Sequence, residues 1–248
     1  MKKNEVWEKT INIPISLVDF KGNIRLDSIF SIMQNEALKH SEAIGVGFNK
    51  FLKDGQIWVL TWAKIEVLRY PRFEENIIIR TWLKEQNKLF TMRDFLFLKE
   101  NNKPPLIKAS TGWLLLNART KRPTRPKSLP DTVVFLPEVK ALNEKPKKLA
   151  TISEPQFLKS FNIEYTDIDM NNHVNNTKYI EFILNSFPIE KFDSQMIKIL
   201  TLFFFSEAKY GEEVEVLGKE DIKISQLLIK NKTKDIEILR ADIHWEKL

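Results

Sequence analysis

DMNNHVNNTKYIEF, residues 169–182, sets an acid, an amide and a histidine at alternate positions and then turns amphipathic. Tyr179, Ile180, Ile183 and Phe187 recur at helical spacing, so a helix is predicted over 176–187, with Asn175 or Asn176 as its cap. A strand-like run at 157–165 precedes it. Runs near 196–207, 213–219, 222–230 and 235–245 follow it. The stretch therefore sits at the entrance of one helix placed between a strand and a four-stranded meander.

The same order occurs upstream. A strand is predicted over 6–18, a helix over about 26–44, and strands over 57–68, 76–84, 89–99 and 106–117. Arg69-Tyr70-Pro71 resembles Lys209-Tyr210-Gly211, both followed by acidic pairs. Asp19 through Ser28 can be laid against Asp167 through Asn176 without a gap. In that register Lys21, Asn23 and Arg25 stand opposite Asp169, Asn171 and His173, and Val67 stands opposite Glu207. One copy has the chemical groups and the other mostly does not. A helix followed by an antiparallel meander implies an α+β unit with its sheet wrapped on the helix, and tandem copies could pair edge to edge as a pseudo-dimer. The expected domains are 1–140, including a linker from about 119, and 151–248.

Composition narrows the class. With 248 residues and 43% hydrophobic content, the chain can bury two cores. Lys2 and Lys3 are followed at once by Asn4 and Glu5, so no apolar signal core exists and export is not expected. No apolar run is long enough to cross a bilayer. Cysteine is absent, which removes disulfides, thiolate metal sites and thiol nucleophiles, and fits a cytoplasmic setting. The five cations of RTKRPTRPK (119–127) and the KPKK run (145–148) are read either as a solvated linker or as a docking surface for an acidic partner. Interleaved aromatics are missing there, which argues against nucleic acid. Pro123, Pro126, Pro130, Pro137 and Pro146 give the region its linker character.

The chemistry is expected at Asp169, Asn171 and His173. If 169–173 is extended, alternation places all three on one face. Such a group could hold and polarise a water, or aim a carboxylate at a carbonyl. The same residue types also suit a plain turn and helix cap. Glu207 follows the apolar run LTLFFFS, where an acid is unexpected. Pushed into a buried wall its pKa would rise unless it were paired, and His173 is the candidate partner. Backbone N–H groups at the helix entrance suit an oxyanion. His40 and His244 lack metal-ligand spacing and are read as structural. No dinucleotide loop, P-loop, H-E-x-x-H or G-x-S-x-G is present, so no cofactor or metal is expected.

TDIDMNNHVNNTKYIEFILNS (166–186) resembles the most specific segment of the acyl-acyl-carrier-protein (acyl-ACP) thioesterases of plants and bacteria. MQNEALKHSEAIGVGF (33–48), WVLTWAKIEVLRYPRFEENIIIRTWL (58–83) and ASTGWLLLNARTKRPTRPKSLP (109–130) resemble its first half. The resemblance implies a tandem double hot-dog, with two long central helices each wrapped by an antiparallel sheet. It implies hydrolysis of fatty acyl-ACP, with a hot-dog acyl-CoA thioesterase as the alternative. It puts the family's catalytic groups on Asp169, Asn171, His173 and Glu207, and an acyl-chain pocket in the first half. A Cys often follows the family's Glu, but here the position is Ala208. The family's carrier protein is strongly acidic, so Lys121, Arg122 and Arg125 become docking candidates. Water activation by Glu207 and His173, and direct attack by Asp169, both stay open, as do monomer and homodimer.

Overall fold

The computed structural model describes residues 5–87, 89–99, 104–126, 129–143 and 146–248. Lys127 and Lys145, counted in the basic runs, lie outside the described residues. The chain divides into two compact units, residues 1–145 and 146–248.

The first unit contains β1 (Trp7–Asn12), α1 (Leu26–Ala43), α2 (Phe48–Lys53), β2 (Gln56–Val67), β3 (Asn76–Asn87), β4 (Phe90–Lys99) and β5 (Ile107–Asn117). Its strands pair antiparallel in the order β1-β3-β4-β5-β2. The α1 sequence repeats apolar residues every three to four positions, and that stripe is what buries. Leu26, Ile29, Phe30, Met33 and Ala37 are all within the core, against Ile65, Ile79, Phe95, Phe97 and Ala109 of the sheet. The second unit contains β6 (Gln156–Asn162), α3 (Asn176–Leu184), α4 (Ile189–Ser194), β7 (Gln195–Phe204), β8 (Glu213–Glu220), β9 (Ile224–Asn231) and β10 (Ile236–Lys247). Its order is β6-β8-β9-β10-β7, the same topology element for element. Each unit is therefore a helix packed on a five-stranded antiparallel meander, the hot-dog architecture.

Several element boundaries differ from the sequence reading, among them the strand expected over 157–165, which ends at Asn162. The strand expected over 6–18 stops at Asn12, and Ile15–Leu17 forms a 3-10 turn. The helix expected over 176–187 ends at Leu184, so the second central helix is half the length of the first. Pro188 lacks an N–H to continue a helix and instead caps the separate α4. β7 ends at Phe204, short of Glu207.

The Pro-rich segment is not a free linker. Leu129, Val133 and Phe135 pack on Ile44, Val46, Phe51, Leu83 and Leu115, and Thr132 donates to the Ile44 carbonyl at 2.7 Å. Residues 139–142 then cross the face of β3 and β4 that points away from α1. The Trp82 indole donates to Val139 O (3.0 Å), Lys84 Nζ to Leu142 O (2.9 Å), and the Ala141 amide to Asp94 Oδ2 (2.8 Å). Ala141 and Leu142 are buried. This strap explains why β4 is buried on both faces, where a one-sided sheet would alternate.

The helix-facing side of β4 carries an unusual core group. The Arg93 guanidinium donates to His40 Nδ1 at 2.8 Å, Ser41 Oγ at 3.0 Å and Thr81 Oγ1 at 3.3 Å, all neutral acceptors. Burial pulls its pKa down to about 9, which still leaves it charged at neutral pH. Donation to Nδ1 requires the Nε2–H tautomer of His40.

The copies trade glycines at their turns. Gly22 (φ +76°) stands where the second unit has Asn172 (φ +62°), and Gly211 (φ +78°) where the first has Glu74 (φ +62°). Glu74 carries the strain of a left-handed backbone with a Cβ. Glu74→Gly is expected to stabilise the first unit by roughly 0.5–1 kcal/mol, after the added unfolded-chain entropy is subtracted. A thermal melt that falls below wild type would contradict this.

Candidate active site

The loop that enters α3 is a closed turn, not an extended strand. The 3-10 turn Tyr165–Asp167 leads in, held by a box in which Asp167 accepts the Glu164 amide at 2.9 Å. Asp169 N–H then donates to His173 O (2.8 Å), Asn172 N–H to Asp169 O (3.0 Å), and Ile168 bridges to Val174. Asn172 takes the left-handed conformation, which Asn tolerates better than most residues. Alternation along a strand therefore does not align Asp169, Asn171 and His173.

What the structure does bring together is two pairs. His173 Nε2 lies 3.3 Å from Glu207 Oε2. Asp169 Oδ1 accepts the Asn171 backbone amide at 2.8 Å, and Oδ2 accepts the Asn171 side-chain amide at 3.3 Å. The pairs are joined through the backbone bond from Asp169 to His173. The buried wall expected around Glu207 is not found. The residue sits in the loop beyond β7, its carboxylate is 51% exposed, and the imidazole is 25% exposed. Water can thus reach the pair.

The internal repeat aligns differently from the sequence reading. In the first unit Asp19 N–H donates to Asn23 O, Gly22 N–H to Asp19 O, Arg25 N–H to Leu17 O, and Ile24 N–H to Pro71 O. In the second, Asp169 donates to His173, Asn172 to Asp169, Asn175 to Asp167, and Val174 to Ala208. Matching these bonds puts Asp19 on Asp169, Lys21 on Asn171 and Asn23 on His173. This is two residues off the gapless register. The following loop shifts too. Glu74 N–H donates to Ile13 O as Gly211 does to Ile163 O, so Pro71 falls on Ala208 and Tyr70, not Val67, on Glu207.

This correction changes which groups are special. Asp19 Oδ1 accepts the Lys21 amide at 2.8 Å and the Asn23 amide at 2.9 Å. A carboxylate holding this turn is common to both copies, so the acid at 169 is part of the turn's construction. The imidazole and the second carboxylate are the true asymmetry, replaced in the first unit by Asn23 and Tyr70. The Tyr70 phenol is driven up in pKa by burial and by the Asp19 carboxylate beside it, so it stays neutral there.

The helix entrance is also more occupied than expected. The amides of Val174, Asn175, Thr177 and Lys178 donate to Ala208 O, Asp167 O, Asn175 Oδ1 and Asn175 O. Little of α3's N-terminal donor capacity is left for an oxyanion. One contributor escaped the sequence reading. Tyr179, taken as core, accepts the buried Ala208 amide on its phenolic oxygen at 2.9 Å. Its pKa is raised first by burial and further by the Glu207, Glu212 and Asp169 carboxylates. A hydroxyl on a helix stripe that is otherwise apolar was the available signal.

The docking candidates Lys121, Arg122 and Arg125 are exposed, as is Arg119, and none is ion-paired among the described residues. Arg125 lines an open cleft of 330 Å³ with Gln86, Pro126 and Leu129. A second, narrow cleft lies between α1 and the first sheet, lined by Phe30, Met33, Leu60, Phe95, Thr111 and Trp113 among others.

Two hot-dog units in one chain, with His173 and Glu207 at the positions that Asn23 and Tyr70 hold in the first unit, define a double hot-dog protein whose two halves differ in chemistry. Residues 4–133 match the N-terminal domain of acyl-ACP thioesterases and residues 151–247 match the C-terminal domain. The chain belongs to the acyl-ACP thioesterase family. It is 30% identical over 210 residues to a chloroplastic acyl-[acyl-carrier-protein] hydrolase of Cuphea viscosissima, covering 79% of this chain and 50% of that one. It is 26% identical over 208 residues to oleoyl-acyl carrier protein thioesterase 2 of Arabidopsis thaliana, covering 77% of this chain and 57% of that one. The chain thus spans about half the length of the curated relatives it matches. Among solved structures, an acyl-ACP thioesterase from Bacteroides thetaiotaomicron superposes with a TM-score of 0.91 at 25% identity, covering 99% of this chain and 100% of that one. The 12:0-ACP thioesterase of Umbellularia californica gives 0.86 at 22% identity, with 98% of each chain covered, and supports the fold. No helix among the described residues is long and apolar enough to cross a membrane.

Proposed function

We propose that the chain hydrolyses fatty acyl-ACP thioesters, releasing free fatty acid and the carrier-protein thiol. The observation that carries this reading is the His173–Glu207 pair at 3.3 Å, solvent-accessible, in a chain whose two halves both match the family. A water held by the pair attacks the acyl carbonyl and gives its proton to the pair. The C–S bond of the tetrahedral intermediate then breaks, and the departing thiolate takes the proton back. Thiolate is a good leaving group, so the pair need only activate the water. Asn171, braced by Asp169, orients the water or the carbonyl oxygen.

Direct attack by Asp169 is the less supported route. Both its oxygens already accept hydrogen bonds from Asn171, and the same carboxylate, Asp19, stands in the first copy, where Asn23 takes the place of His173. The acyl chain is proposed to enter between α1 and the first sheet, where Phe30, Met33, Leu60, Phe95 and Trp113 line a gap that is closed in this structure and must open to admit it. The unpaired cations at 119, 121, 122 and 125 are the proposed contact for an acidic carrier protein, and a cytoplasmic setting accords with the absence of cysteine.

The test is a comparison of matched acyl-ACP and acyl-CoA substrates of graded chain length. Release from the carrier protein is expected to be faster. Neutralising Lys121, Arg122 and Arg125 to Gln should raise KM for acyl-ACP roughly tenfold at low salt, and leave acyl-CoA unaffected. Equal rates on both thioesters would overturn the carrier-protein reading.

A further inference from the structure

We propose that Tyr179 is a positioning residue for this reaction. Its phenol holds the Ala208 amide and so keeps Glu207 in register with His173. The inference rests on the reading of His173 and Glu207 as the reacting pair. The segment Glu207–Ala208 is tied on both sides. Ala208 O accepts the amide of Val174, the residue after His173, at 2.9 Å, and Ala208 N–H donates to Tyr179 Oη at 2.9 Å. Tyr179 and Ala208 are both fully buried, so neither bond exchanges with water.

The first unit shows what the fold requires without this bond. Ile29 stands at the position of Tyr179 and Pro71 at that of Ala208. One has no acceptor and the other no N–H. Yet the loop closes there in the same way, through Ile24 N–H to Pro71 O at 2.9 Å. Acceptor, donor, imidazole and carboxylate occur together at Tyr179, Ala208, His173 and Glu207, and the four matching positions of the first copy, Ile29, Pro71, Asn23 and Tyr70, have none of them in the same role. The clamp is therefore an addition that accompanies the reactive pair, not a necessity of the turn.

Tyr179→Phe keeps the ring and removes the acceptor. It is expected to lower kcat by about 10–100-fold with KM within about twofold, because a carboxylate misplaced by a fraction of an ångström no longer serves the imidazole. The pH–rate profile should shift with it, since the coupling of Glu207 to His173 changes. Tyr179→Phe leaves the Ala208 amide orphaned, so the double variant Tyr179→Phe/Ala208→Pro, which removes acceptor and donor together as in the first unit, is made beside it. Its melting temperature should recover while kcat stays low. A wild-type kcat for Tyr179→Phe, or a fall in melting temperature alone with an unchanged pH profile, would overturn the proposal. His173→Ala and Glu207→Ala serve as controls. If they lose activity and Tyr179→Phe does not, the clamp alone is wrong; if they keep it, the pair itself is wrong and the clamp falls with it.

Discussion

His173→Ala and Glu207→Ala are each expected to cut fatty acid release from acyl-ACP by about a thousandfold, within the range that a positioned acid–base group contributes. The two side chains face each other at 3.3 Å, so the proposed reaction uses them as one proton-handling unit. Losses within such a unit do not add, and the double variant should be little worse than either single one. Neither substitution should unfold the protein, because both side chains are partly exposed and no backbone group depends on them. Asp169→Asn is expected to fall between these variants and wild type, at about 10–100-fold. The new amide cannot accept at both oxygens, so Asn171 must turn, but the turn itself survives. Complete loss of turnover in Asp169→Asn, with a folded protein, would instead point to Asp169 as the attacking group. Full activity in His173→Ala would remove the site.

Asp94→Ala is expected to carry the largest stability loss, about 3–5 kcal/mol in the first unit. Asp94 is fully buried and accepts three donors: Ser110 Oγ at 2.6 Å, the Ala141 amide at 2.8 Å and Lys84 Nζ at 3.2 Å. Removing the carboxylate leaves a buried ammonium with only a carbonyl partner, and an amide and a hydroxyl with none. The strap over residues 139–142 would also lose its anchor to β4. A fall in the melting temperature of about 10 °C, with new proteolytic cleavage near Ala141, is the measurable result. Pairing Asp94→Leu with Lys84→Met should recover much of the loss, because it removes both charges together. A melt of Asp94→Ala within a degree or two of wild type would show that the strap is held by its apolar residues alone.

The strap shows where reading the sequence stops. Five prolines and a dense run of cations suggested a solvated linker, and its apolar residues have no period. Leu129, Val133, Phe135, Ala141 and Leu142 follow neither a helix nor a strand, so no periodicity marks them as core. Ala141 and Leu142 are buried and the other three partly buried, because the surfaces of α2, β3, β4, β5 and the α1 terminus receive them. The repeat register failed for a related reason. Asp and Asn are frequent in both turns, so residue identity alone allowed a match two positions out. Only the hydrogen bonds from Asp19 to Asn23 and from Asp169 to His173 fix it.

By itself the sequence determined the doubled order of strand, helix and meander, because hydrophobic period is a local property that each segment carries alone. It also pointed to His173 and Glu207, since an imidazole and an acid in polar or apolar contexts are visible one residue at a time. Tertiary structure alone decided that these two meet, that Asp169 serves the turn in both copies, and that Tyr179 grips the loop beneath them. Each of those facts is a distance between residues far apart in the chain, and such distances are set by how helix and sheet pack, not by any segment's own preference.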